Sequence, residues 1–139
     1  MTVNTFRINV RIGPNSEMEN ITEEVSEKLR RSNIKEGIVT IFIPGATGSI
    51  STVEYEPGLK KDIPEALNNI APESKTYEHH KTWGDYNGHG HVRATIMGPG
   101  MTVPFEDNRM ILGKWQQIVA INHDDKERDR EIVIQLMRE

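Results

Sequence analysis

Between Thr5 and Ile12 the chain alternates: Phe6, Ile8, Val10 and Ile12 fall on one face, Thr5, Arg7, Asn9 and Arg11 on the other. A period of two marks a half-buried strand, which Gly13-Pro14-Asn15-Ser16 ends. The period then changes. Ile21, Val25 and Leu29 recur every four residues, with Glu23, Glu24 and Glu27 early and Lys28, Arg30 and Arg31 late. Acid first and base last complements the helix dipole, and the spacing predicts a helix over 21–31. Ile38 to Ile43 is an apolar, β-branched run of the kind expected from a central strand covered on both faces. It empties into the small-residue loop from Pro44 to Ser49, and Ile50 to Tyr55 reads as another strand. Leu59, Ile63, Leu67 and Ile70 return to helical spacing, with Pro64 predicting a break or a new first turn.

The second half reads as β-rich. Val92, Ala94 and Ile96 alternate, and Met101–Val103 and Met110–Leu112 flank a turn at Glu106-Asp107-Asn108. Trp115 to Ile121 and Glu131 to Met137 form two longer strands around the polar turn Asn122 to Lys126. Two or three helices with a run of hairpins predict a single compact α+β domain over 1–139, its sheets largely antiparallel or mixed.

Composition narrows the functional classes. The apolar fraction of 35% is modest and the mean hydropathy is -0.59, which suits a small core or one completed by neighbouring subunits. A formal charge of -4 argues against non-specific nucleic-acid binding, which rests on neutralising many phosphates. With no cysteine, neither a disulfide nor a thiolate metal site can form. No apolar run approaches the roughly 20 residues needed to span a bilayer, and Met1 to Arg7 lacks the apolar core of a signal peptide. A cytoplasmic protein without a membrane or nucleic-acid partner is the expectation.

The candidate chemistry is concentrated. His79, His80, His89 and His91, four of the five histidines, lie within thirteen residues around Trp83-Gly84-Asp85-Tyr86-Asn87-Gly88. On a strand, His89 and His91 point to the same face and present two imidazoles together, as metal ligands or as groups titrating near neutrality. The same spacing also suits exposed loop histidines that share no ligand. His80 points away from His79 in an extended segment. Asp85 and Asn87 are either partners that orient an imidazole or simple turn residues. Backbone N–H groups of Gly45-Ala46-Thr47-Gly48-Ser49 can hold an anion, or the segment is a plain turn. Glu54 is a candidate base or ligand, and equally a solvated strand residue. Arg128 and Arg130 share a face and can grip a phosphate, or belong to a charged hairpin end. Trp115 is expected in the core or at a subunit interface.

Taken in order, Asn87-Gly88-His89-Gly90-His91-Val92-Arg93-Ala94, Gly98-Pro99, Val103-Pro104, Leu112-Gly113-Lys114-Trp115-Gln116 and Arg128-x-Arg130 resemble the YjbQ-like family. Thr47 with Glu54, Asp62 and Tyr77-x-His79 extend the resemblance over nearly the whole chain. It implies a compact α+β protein that assembles as a homotrimer. It also implies a weak, secondary thiamine-phosphate synthase activity, joining a pyrimidine diphosphate to a thiazole phosphate. By position it implies catalytic roles for His91, His79 and Glu54, and contacts to a phosphorylated small molecule from Arg128, Arg130, Asn87 and Thr47. A divalent ion, zinc or magnesium, would sit on His79, His89 and His91. Many members carry His-Thr-Thr where this chain has Gly45-Ala46-Thr47, so one imidazole is missing and His89 is the candidate to replace it. A metal-assisted hydrolase of a phosphorylated small molecule, or a non-enzymatic trimer that binds a metal or small ligand, uses the same residues.

Overall fold

The alternating N-terminal segment forms β1 (Thr2–Ile12), and the chain ends in β8 (Arg128–Arg138). The two pair antiparallel along their whole length, Thr2 opposite Arg138 and Ile12 opposite Arg128. The computed structural model describes residues 1–139. Between these strands run β2 (Glu17–Asn20), α1 (Thr22–Ser32), β3 (Gly37–Phe42), β4 (Gly48–Val53), α2 (Pro57–Ile70), α3 (Glu78–Trp83), α4 (Gly88–Met97), β5 (Gly100–Glu106), β6 (Arg109–Met110) and β7 (Gln117–Asn122). They make a five-stranded sheet in the order β1-β8-β3-β5-β6 and a three-stranded sheet in the order β2-β7-β4. All pairings are antiparallel.

The main core lies where the two sheets and α1 face one another. Val25 and Leu29 of α1 pack with Ile12, Val39, Ile41, Phe105, Ile118, Ile132, Ile134 and Leu136. Each such buried side chain contributes about 1.5–3 kcal/mol relative to exposure. Strand β7 is apolar from Ile118 to Ile121, and both of its faces are covered there. Ile118 and Ala120 turn to the main core, whereas Val119 and Ile121 join Met18 in a second cluster with Ile63 of α2 and Met97 of α4.

Several expectations change. The run from Ile38 to Ile43 is covered on one face only: Val39 and Ile41 are buried, but Ile38 is 41% and Phe42 42% exposed. Its outer face lies open beside Thr40, whose hydroxyl meets that of Thr102. Pro64 does not break α2, which runs through it with Pro57 in the first turn. Glu56 caps that helix by accepting from the N–H groups of Gly58 and Leu59. Trp115 precedes β7 and is 64% exposed, so it is no part of this chain's core. No helix is long and apolar enough to cross a membrane.

The largest correction is α4. The alternation of Val92, Ala94 and Ile96 suggests a strand, yet the segment is helical, which brings the helix count to four. Its buried residues are Gly88, His89, Gly90, Arg93 and Ala94; the last four recur at helical spacing, but most are polar or side-chain-free. Val92 and Ile96 instead point outward, 38% and 56% exposed. A hydrophobic pattern cannot report a face buried by histidine and arginine.

Candidate functional site

The short helix α3 packs on α4 and brings two histidines together. The rings of His79 and His91 have centroids 4.4 Å apart and planes inclined by 50°. Asn87, just before α4, places its Oδ1 3.1 Å from Nε2 of His79. With Oδ1 accepting, that nitrogen carries the ring proton and Nδ1 is left as a free acceptor. The Asn87 side chain thus meets the His79 ring and makes no cap for α4. Burial lowers the pKa of His91, and His79 beside it lowers it further, while Asp124 and Asp85 pull the other way. The pair therefore resists carrying two protons at once.

Asn87 also lines a shallow groove of about 280 Å³, with Asp85, Tyr86, Asp125, Lys126 and Arg128 around it. Across that groove lies the turn that links β7 to β8. Arg128 Nη2 stands 3.4 Å from Oδ2 of Asp124, and the same oxygen accepts from the Thr47 hydroxyl at 3.0 Å. Burial alone would raise the Asp124 pKa. Hydrogen bonds from Asp125 and Thr47, with Arg128 nearby, instead bring it down to about 2. Asp125 is displaced upward by its contact with Asp124 and by burial. Arg130 donates from Nη2 to Thr47 Oγ1 at 2.7 Å and to Asn122 Oδ1 at 2.5 Å. Asn122 is held in turn by donating to the carbonyls of Ile12, Gly13 and Lys126.

His79, His91, Asn87, Thr47, Arg128 and Arg130 thus belong to one contiguous region, whereas Glu54 lies apart and His89 turns from the histidine pair to Asn15. Two residues apart on a helix, His89 and His91 point about 200° from each other, so the shared face expected of a strand is lost. His89 is fully buried and places Nε2 2.8 Å from Oδ1 of Asn15. Its Nδ1 is buried without a partner. Glu54 is exposed beyond the far end of β4, about 20 Å along the strand from Thr47. His80 turns to Tyr77 and Tyr86, with ring centroids 5.6 and 5.1 Å away.

The fifth histidine, His123, carries a buried network that the sequence pattern does not announce. Its Nδ1 is 2.6 Å from Ser16 Oγ and its Nε2 2.8 Å from Ser49 Oγ. Ser16 also accepts from Nη1 of Arg93 at 3.0 Å. Arg93 also donates to the carbonyl of Ala71 and to Asn68 Oδ1, each at 3.0 Å. Burial first, then Arg93 and Arg130, push His123 down to about 3, so the ring is neutral. Asn122-His123-Asp124-Asp125 reads as a solvated turn, yet Asn122, His123 and Asp124 are buried. The one signal in the sequence is a histidine placed directly after an apolar strand.

For a metal, the donor set within one chain is short. No group of three or more histidine or carboxylate side chains converges on one point. The His79–His91 pair supplies two imidazoles where catalytic zinc usually has three protein ligands.

Comparison with known proteins agrees with the fold and with the family resemblance. The UPF0047 protein YjbQ-like family pattern matches residues 6–139. A UPF0047 protein of Archaeoglobus fulgidus is 32% identical over 117 residues, 84% of this chain and 89% of that protein. One from Methanothermobacter thermautotrophicus is 35% identical over 118 residues, 85% and 81% of the two chains. Among solved structures, a YbjQ-like protein of unknown function from Sulfolobus solfataricus superposes with a TM-score of 0.92 at 29% identity, covering 99% of both chains. A hypothetical protein from Aeropyrum pernix gives 0.91 at 26% identity, covering 98% of this chain and 99% of that one. With a match along nearly its whole length and relatives above 30% identity, the chain belongs to the UPF0047 YjbQ-like family.

Proposed function

We propose that the His79–His91 pair and the groove beside it act on a phosphorylated small molecule, in chemistry of the thiamine-phosphate synthase type. The observation that carries this reading is the contact between the two imidazoles, 4.4 Å between centroids, joined through Asn87 to the groove that Lys126 and Arg128 line. In that reaction the bond from the pyrimidine methylene carbon to the diphosphate oxygen breaks, and its electron pair leaves with the diphosphate. The thiazole nitrogen supplies the pair for the new C–N bond. Arg128 and Lys126 offset the charge that develops on the leaving group. The departing diphosphate takes up its proton from solvent, and His91, held neutral by burial and by His79, acts as a proton acceptor toward the substrate.

A divalent ion on the pair needs a donor from outside the chain, and we take the chain to assemble as a homotrimer that can supply one. Large apolar residues left open on the monomer, Ile38, Phe42 and Ile111, together with Trp115, support that assembly. The cysteine-free composition suits a reducing cytoplasm.

The test is thiamine-phosphate formation by the wild type, His79→Ala and His91→Ala, with metal content measured on each purified protein. Loss of product in both variants is the expected outcome; equal activity in all three ends the catalytic reading. Diphosphate release without a thiazole acceptor favours a hydrolase, and ligand binding without turnover favours a non-enzymatic trimer. Light scattering decides the assembly, since a mass near 15.8 kDa rules out the trimer.

A further inference from the structure

Arg130 is a buried cation with unused donors. It is only 9% exposed, no carboxylate lies within ion-pair distance, and Nε is buried without a partner. Nη2 is engaged with Thr47 and Asn122, while Nη1 donates to nothing in the chain. Burying a guanidinium without an anion is costly, so such a group normally faces one. The nearest carboxylate, Asp124, is already taken by Thr47, by the N–H of Asp125 and by Arg128.

The loop against Nη1 has the complementary property. Gly45, Ala46 and Thr47 join β3 to β4, and none of their three backbone N–H groups donates to an acceptor in the chain. Gly45 sits at φ +118°, where an L side chain is strained, and a Cβ there would lie 3.2 Å from Arg130 Nη1. The missing side chain is what leaves Nη1 open toward the loop. Successive free N–H groups beside a guanidinium are a donor set suited to a tetrahedral oxyanion.

We propose that the Gly45–Thr47 loop and Arg130 form a phosphate subsite that anchors the phosphoryl end of the ligand, with the histidine pair at the reacting end. The proposal rests on the reading of the chain as a binder of phosphorylated small molecules. Gly45 sets its specificity: with no side chain, the loop admits a phosphoryl group that any larger residue at 45 would displace.

The test is a titration of the full-length protein with inorganic phosphate, by calorimetry and by amide NMR shifts. Wild type, Gly45→Ala, Arg130→Lys and His91→Ala are compared, each checked for fold by circular dichroism. Saturable binding is expected in the wild type, with the largest shifts at Gly45, Ala46 and Thr47. Affinity falls by about tenfold or more in Gly45→Ala and in Arg130→Lys, from the loss of charge-assisted bonds, and is unchanged in His91→Ala. Absence of saturable binding, shifts confined to other residues, or undiminished affinity in Gly45→Ala overturns the subsite. The wild-type shifts decide the matter even where a variant fails to fold. Loss in His91→Ala but not in Gly45→Ala puts the anion in the groove and also overturns it. If phosphate binds at the loop while His91→Ala retains full thiamine-phosphate formation, the catalytic reading fails and the subsite stands.

Discussion

Gly90 of α4 lies directly against the carbonyl of His123: a Cβ built on Gly90 would sit 2.4 Å from that oxygen. The contact sets how closely α4 approaches the turn between β7 and β8, and so joins the helix bearing His91 to the turn that leads into Arg128. Gly90→Ala should force the two apart, because the atom it meets is backbone and cannot rotate away. A loss of roughly 1–3 kcal/mol is expected, read as a lower urea midpoint with an unchanged slope. An unchanged midpoint would show that the turn yields without strain.

His123 makes the fold sensitive to acid. Its pKa is lowered in the folded state to about 3, so the unfolded chain binds a proton there first as pH falls. Its stabilising effect is therefore complete above the ordinary histidine pKa and drains away as pH falls from about 6.5 toward 3, by about 1.4 kcal/mol per pH unit. His89 and His91, also displaced downward, add to the trend with the same sign. Urea unfolding of the wild type and His123→Gln across this range isolates the His123 share. The variant should be less stable at neutral pH and lose less on acidification; parallel curves would assign the sensitivity elsewhere.

His91 should titrate below a free histidine, chiefly from burial and next from His79. Replacing His79 by alanine removes the second cause and opens the first, so the His91 pKa should rise. Ring-proton NMR titration of His79→Ala checks this directly. A fall in the His91 pKa would mean that the two rings do not sense one another's charge.

Arg93 ties α4 to the loop after β1 and to α2 through Ser16, Asn68 and Ala71. Arg93→Met keeps much of the bulk but leaves those acceptors without a donor. A cost of about 2–4 kcal/mol follows from stranded buried polar groups. Thermal unfolding measures it, and a gain in stability would show that the network constrains the fold without stabilising it.

Where one face of an element is apolar and the other polar, the amino-acid sequence by itself determined the outcome. That holds for β1, α1 and the β5–β6 hairpin, because burying a regular hydrophobic stripe outweighs the competing local preferences there. It also determined membership of the family, through motifs whose order needs no geometry. Only the tertiary structure decided that Gly88–Met97 is a helix, since that segment buries histidine, glycine and arginine, whose burial depends on partners far away in sequence. The same reason separates His89 from His91, joins His79 to His91 across two helices, and gives His123 and Asn122 their structural roles. Polar burial costs free energy unless donors and acceptors meet, and where they meet is a property of the folded chain.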